Sequence, residues 1–313
     1  MRRRGWALLP AIVALSLIAG ACGSDSDDST TNTTSPGTTR PTFAAGTKMA
    51  DLQAKGKIVI GTKFDQPGFG LKNPTNNEIE GFDVEIGKLI AVGIFGGTIN
   101  DVGSKIEFKE TVSANREPFI ENGTVDMVVA TYTINDARKL RVGFAGPYFV
   151  AEQDIMVKST DTTIKSVTDL NGKAVCSVKG STSARNLQAK APQASLTELD
   201  TYSQCAEQLR DNRVVAVTTD NAILAGLVQQ SSGQFKLVKA PFSSEPYGIG
   251  VSRNDEAFRA FINDQLQTIF TNGQWATAFK NTLGKIGLDT PTPPAIDRYV
   301  TGAAAATTTT VRP

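Results

Sequence analysis

The residues able to do chemistry in this chain sit mostly where an apolar run ends. Lys63 follows the run Ile58–Gly61 after a single threonine, and Gln66 lies just beyond it. Thr131 and Thr133 follow the run Val125–Ala130, and Arg138 comes after the turn they begin. Asp220 closes Val214–Thr219, while Ser181 and Thr182 follow Gly180 at the start of a helical stretch. Hydroxyls, single cations and a single anion so placed suit non-covalent capture of a small polar molecule. Covalent or metal chemistry finds little support. The 313 residues contain no histidine, which excludes histidine-dependent nucleophiles and most zinc sites. There is no nucleophile elbow or metal-spaced cluster, no paired carboxylates stand out, and no cofactor is implied. Each candidate also has a plainer reading: a solvated lysine for Lys63, surface helix charges for Arg116 and Arg138, and an N-cap for Asp220.

Alternating strands and helices must position these residues. Lys57–Gly61 reads as a short buried strand, and Phe82, Ile86, Leu89 and Ile90 give residues 82–92 the period of an amphipathic helix. Strands are expected at 125–131, 173–178 and 214–218, and helices at 204–212, 222–230, 256–270 and 273–283. Such alternation implies parallel sheets covered by helices. One internal echo is informative. Residues 122–136 and 211–223 share a design in which a helix end leads to a buried strand and then a polar Thr/Asp turn. Two units built alike, each with polar groups at a strand's carboxyl end, imply a cleft between them.

The termini set the compartment. Met1-Arg2-Arg3-Arg4 and the uncharged run from Gly5 to Ala21 read as a secretory signal peptide. That run is too short for a membrane span of about 20 apolar residues. It ends Ile18-Ala19-Gly20-Ala21-Cys22, which resembles a bacterial lipobox with Ala19 in place of the preferred Leu. Cys22 is therefore the expected lipidation site and outer membrane-face anchor, with ordinary cleavage nearby as the alternative. Residues 22–45 read as a flexible Ser/Thr-rich tether and 290–313 as a disordered Pro/Ala/Thr-rich tail. Cys176 and Cys205 are the other two cysteines, free to pair outside the cell or to remain as two buried thiols. Loss of residues 1–21 would leave 29 basic against 31 acidic residues. Nothing in that balance calls for a nucleic-acid partner.

Several motifs occur in register: Glu80–Glu85 (EGFDVE), Arg116–Val125 (REPFIENGTV), Thr131–Arg138 (TYTINDAR), Phe144–Tyr148, Asp169–Lys173, Gly180–Ser183, Asp220 and Tyr247–Ile249. In this order they resemble the polar amino-acid family of extracellular solute-binding proteins, receptors of ATP-driven importers, over roughly residues 47–285. The glutamate/glutamine-binding actinobacterial lipoproteins are the most similar branch. The resemblance implies an α/β, type II periplasmic-binding-protein-like fold of two lobes joined by two hinge strands. Lobe one would hold 46–147 plus 248–289 and lobe two 152–244, with crossings near 149–154 and 243–247. Both paired cysteines would then lie in lobe two. A monomer is expected, with permease subunits as partners.

The same resemblance implies roles. Arg138 would grip an α-carboxylate with its planar fork, helped by Thr131, Thr133 and the amide end presented by Ser181 and Thr182. Asp220 would accept from the α-ammonium. Lys63 and Arg116 would meet a distal carboxylate, with Ser113, Tyr202 and Gln66 lining that end. Three cations against Asp220 favour L-glutamate, with aspartate, glutamine and asparagine behind it. Capture would proceed by lobe closure without catalysis. A sensor feeding a membrane signalling partner is the alternative, and an enzyme on the same fold, a dehydratase or lytic transglycosylase, a remote one.

Overall fold

The computed structural model describes residues 40–299. The expected signal peptide, the Cys22 lipidation site, most of the tether and the tail beyond Tyr299 lie outside them. None of the helices described is long and apolar enough to cross a membrane.

Two five-stranded sheets follow one plan. In the first the order is Ile106–Glu110, Ile58–Thr62, Met127–Val128, Glu245–Ser252 and Val142–Ala151. Ile58–Thr62 pairs in parallel with both of its neighbours, and the last two strands run antiparallel. In the second the order is Ser195–Leu199, Ala174–Val178, Ala216–Asp220, Gln153–Lys158 and Phe235–Leu237. Ala174–Val178 again lies between two parallel partners, and Gln153–Lys158 joins antiparallel. The echo read between 122–136 and 211–223 therefore marks equivalent strands of two α/β lobes. The third sheet, Asp65–Gln66, Gly70–Lys72 and Ile79–Glu80, is a small antiparallel addition that hydrophobic periodicity did not reveal.

The chain crosses between the lobes twice. Val142–Ala151 passes into Gln153–Lys158 through Glu152 alone, and the return runs from Leu237 to Glu245. Glu245, Pro246 and Tyr247 pair with Ala151, Val150 and Phe149, so the two crossings lie side by side as a hinge. Beneath them the buried rings of Phe69, Phe82, Tyr148, Phe149, Tyr247, Trp275 and Phe279 contact one another edge-on or tilted. Aromatic packing of this kind gives the crossings a firm floor.

Several element boundaries moved for identifiable reasons. The helix expected over 82–92 runs Phe82–Phe95 and stops at Gly96, whose φ of 72° is left-handed. The strand expected over 125–131 keeps only Met127–Val128, because the Asp126 carboxylate takes the Val59 amide at 2.7 Å and Thr131 turns to a φ of 44°. The strand expected over 214–218 becomes Ala216–Asp220, which makes Asp220 its last residue. Residues 204–212 start their helix earlier, at Tyr202, where Thr201 and Gln204 form a capping box.

Low apolar content misled at both ends. Phe43, in the expected tether, packs edge-on against Phe261 at 5.3 Å, and Gln53 donates to the Pro41 carbonyl. Residues 290–299, in the expected disordered tail, lie along lobe one. The Asp297 amide donates to Gly146 O at 2.8 Å, and the Phe144 amide donates to the Tyr299 hydroxyl. The Tyr299 ring receives Lys139 at 4.1 Å and Arg259 at 4.4 Å. One anchored aromatic at each end, Phe43 and Tyr299, packs where composition alone reads as unstructured. Within lobe two a disulfide joins Cys176 to Cys205, tying Ala174–Val178 to the helix Tyr202–Arg210.

Candidate ligand-binding cleft

The strand ends of lobe one carry the cations. Lys63, one residue past Ile58–Thr62, is 2 % exposed, and its Nζ donates to Ser113 Oγ at 2.8 Å. Burial, with Arg116 beside it, pushes the Lys63 ammonium down to about 7. Arg116 opens the short helix Arg116–Glu121 and is equally buried. Its Nε donates to Ser113 O, and its Nη1 to the Ala130 and Thr131 carbonyls at 3.1 Å each. Arg138 sits in the single turn Asp136–Lys139, capped by the Asn135 side chain. It donates from Nε to Glu117 Oε1 at 3.1 Å and from Nη1 to Thr133 O at 2.7 Å. Both guanidinium groups lie over the ring of Tyr132, at 4.4 and 4.8 Å. Burial lowers Arg138 to about 10, which leaves it charged at neutral pH. All three cations are thus interior groups, and the surface-charge readings of Lys63, Arg116 and Arg138 do not hold.

Thr131 is the pivot of this wall. A β-branched residue at a φ of 44° is strained and persists only where its surroundings fix it. Here the Thr131 amide donates to Asp83 Oδ2 at 2.8 Å, its carbonyl receives Arg116, and its hydroxyl donates to Gln66 Oε1 at 3.0 Å. Gln66 Nε2 is buried without a partner among the described residues.

Lobe two faces these groups with fewer internal ties. Asp220 ends Ala216–Asp220 and stands at the N-cap of Asn221–Gln230, yet its side chain makes no capping bond. The plain N-cap reading therefore fails. Instead Oδ2 accepts from the Tyr247 hydroxyl, and Oδ1 is buried with no partner among the described residues. Burial, with Glu245 nearby, pushes the carboxyl up to about 7. Burial, with the negative charge of Asp220 added, holds the Tyr202 hydroxyl above its ordinary range. Ser181 spends its hydroxyl capping Thr182–Lys190 through the Ala184 amide at 2.9 Å. Thr182 Oγ1 lies 3.4 Å from Thr133 Oγ1 across the seam. The Gly180 carbonyl receives Arg138 Nη2 at 3.0 Å and Arg116 Nη2 at 3.5 Å. The lobes are closed on each other. Of the eleven expected cleft residues ten are buried and Thr182 is half-buried.

Three carboxylates escaped the sequence reading. Asp83 is fully buried, accepts from Tyr148 Oη at 2.6 Å and from the Thr131 amide, and is pushed up to about 6 by burial. Burial raises Glu117, but Arg116 and Arg138 outweigh it and leave the carboxyl below its usual range. Glu245, on the return crossing, accepts from Asn186 and Ser243. The signal was present, since Asp83, Glu117, Tyr148 and Tyr247 all fall inside quoted motifs. Nothing in the sequence said that they point inward. Counting them removes the excess of positive charge that three cations against Asp220 alone implied.

Comparison with known proteins agrees with this geometry. The profile of bacterial extracellular solute-binding proteins, family 3, matches residues 58–285. The glutamate-binding protein GluB of Corynebacterium efficiens is 40 % identical over 236 residues, 74 % of this chain and 80 % of that protein. The ABC transporter glutamine-binding protein GlnH of Bacillus subtilis is 41 % identical over 233 residues, 74 % and 83 % of the two chains. Among solved structures, an ancestral arginine-binding protein bound to glutamine matches with a TM-score of 0.67 at 34 % identity, covering 73 % of this chain and 98 % of that one.

Proposed function

Because the chain belongs to family 3 of the bacterial extracellular solute-binding proteins, we propose that it captures L-glutamate by lobe closure as the receptor of an ATP-driven importer. The observation that carries this reading is the burial of Lys63, Arg116 and Arg138 in one lobe, with both guanidinium groups donating to Gly180 O of the other, opposite an Asp220 whose Oδ1 has no partner among the described residues. In this reading Arg138 takes the α-carboxylate, with Thr133 and the amide end at Thr182. Asp220 Oδ1 accepts from the α-ammonium, and Lys63, Ser113 and Arg116 meet the distal group. A ligand bridging both walls binds the closed form better than the open one, so it shifts the population toward closure. No covalent step is assigned, and the relatives above are named as binding proteins.

Glutamine is the second reading, and two observations favour it. Asp83, Glu117 and Glu245 offset the cations, and Lys63 at about 7 is only half charged at neutral pH. A neutral amide would then leave no unpaired charge buried. Aspartate and asparagine follow on the same logic, one methylene shorter. The family places the protein outside the cytoplasm. Lipidated Cys22 and the segment after it would hold it near its permease, raising the effective concentration there.

Isothermal titration calorimetry against the twenty amino acids tests the proposal. L-glutamate or L-glutamine should bind one to one, and Lys63→Ala should weaken glutamate more than glutamine. Preferred binding of L-lysine or L-arginine, or no binding at all, would overturn it.

A further inference from the structure

The hairpin beginning at Asp65 reaches across the seam. Asp65 Oδ2 accepts from the Tyr202 amide at 2.9 Å and lies 3.5 Å from the Ser203 amide, both at the start of the lobe-two helix Tyr202–Arg210. Within lobe two those amides have no use. The capping box satisfies Gln204 N through Thr201 Oγ1 and Thr201 N through Gln204 Oε1, leaving Tyr202 and Ser203 among the helix's orphan donors. An acceptor carrying full negative charge is best matched to that position, where the helix dipole is positive. The disulfide through Cys205 also links this helix to the strand Ala174–Val178. Asp65 itself is held by the pairing of Asp65–Gln66 with Gly70–Leu71.

We propose that Asp65 is a clasp that closes on the lobe-two helix and sets the affinity for every ligand of the cleft alike. It is a positioning residue: it acts through the helix that carries Tyr202, not through a ligand. The inference rests on the reading of the cleft as an amino-acid trap. With the lobes apart, the carboxylate and both amides return to water. With them together, a charge-assisted bond is gained whatever amino acid lies inside. A competing role is visible too, since Asp65 helps to keep Lys63 charged. That role would favour glutamate over glutamine, whereas the clasp treats them equally.

Asp65→Ala and Asp65→Asn, titrated with L-glutamate and with L-glutamine, separate the two. Loss of one charge-assisted bond predicts about tenfold weaker binding of both ligands by Asp65→Ala. Asp65→Asn keeps an oxygen acceptor and should lose only about threefold. Small-angle scattering of the ligand-free variants should show a larger radius of gyration than the parent, restored by saturating ligand. Unchanged affinities, or equal losses by Ala and Asn confined to glutamate, would overturn the clasp, the second pattern assigning Asp65 to Lys63. If the parent protein binds neither amino acid, the functional reading fails on its own, and the ligand-free radii still judge the clasp. Should Asp65→Ala not fold, Asp65→Asn carries the comparison.

Discussion

The two walls of the cleft are built by opposite strategies. In lobe one the cations are tied down before any ligand arrives: Arg116 by three backbone carbonyls of its own lobe, and Arg138 by Glu117 and Thr133 O. In lobe two Asp220 keeps one carboxylate oxygen without a partner, and the Gly180 carbonyl gains its guanidinium donors only from across the seam. Lobe one thus holds its cations in place, and in the proposed reading lobe two supplies what closure completes. Preorganisation lowers the cost of ordering side chains on binding. Groups left for the partner lobe make affinity conditional on closing.

The largest expected effect comes from the preorganised wall. Arg138→Ala removes the guanidinium that the proposed reading gives to the α-carboxylate, and it takes from the buried Glu117 its Arg138 partner. Truncating one member of a buried, hydrogen-bonded charge pair costs about 2–5 kcal/mol, and at the middle of that range binding of glutamate and glutamine should both fall several-hundredfold. Asp220→Asn should cost less, since it keeps the Tyr247 bond. Calorimetric losses of equal size for the two variants would erase the proposed asymmetry.

A matched pair of glycines tests closure separately from the fold. Gly180 and Gly172 lie in the same lobe at the same φ of 73°. A Cβ on Gly180 would stand 2.8 Å from the Cα of Ala114 across the seam, whereas one on Gly172 meets nothing within 4 Å. Both Gly→Ala changes therefore share the backbone penalty of about 1 kcal/mol. Only Gly180→Ala should hold the lobes apart, weakening binding by about thirtyfold on the scale of a modest overpacking strain. Equal affinities in the two variants would show that Gly180 does not gate closure.

Much of this arrangement was legible in the sequence, for a physical reason. Polar groups at the carboxyl ends of buried strands follow from where α/β sheets open, so the positions of Lys63, Thr131 and Asp220 could be read from where apolar runs stop, while the roles expected of them came from the family resemblance. The inward carboxylates could not. Asp83 sits in the first turn of Phe82–Phe95 as an ordinary acidic helix residue would. Only Tyr148 and the Thr131 amide, 65 and 48 positions away, show that it faces the core. The packed stretch 290–299 was missed for the converse reason: one tyrosine between two cations carries it, and composition averages that away.

Acidity sharpens the contrast between the walls at about the tenfold level. Lys63 titrates near 7 without ligand, and a bound distal carboxylate favours its charged form. Glutamate binding must therefore take up a proton above pH 7, and its affinity should fall as pH rises from 7 to 9. Glutamine, with no such carboxylate, should stay level there. Asp220 titrates near 7 in the other sense: the α-ammonium favours its charged form, so binding releases a proton below pH 7. Affinity for both ligands should fall as pH drops from 7 to 5. A single group half-titrated at pH 7 allows at most about fiftyfold over two units, and partial coupling to the ligand brings the expectation to about tenfold. Titrations at pH 5, 7 and 9 giving identical profiles for the two amino acids would remove Lys63 from the distal site.

The smallest effect on binding belongs to the disulfide, which strengthens one wall without crossing the seam. Cys176 and Cys205 stand 29 positions apart, both in lobe two. Closing a loop of that size stabilises by roughly 3 kcal/mol on the chain-entropy account. The double variant Cys176→Ala, Cys205→Ala should therefore melt several degrees lower while binding glutamate within about threefold of the parent, because every ligand group stays in place once the lobe is folded. A larger loss of affinity at temperatures where the variant is fully folded would show that the bridge holds the Tyr202–Arg210 helix in the position its amides need. Lobe two would then be as preorganised as lobe one, and the contrast between the walls would dissolve.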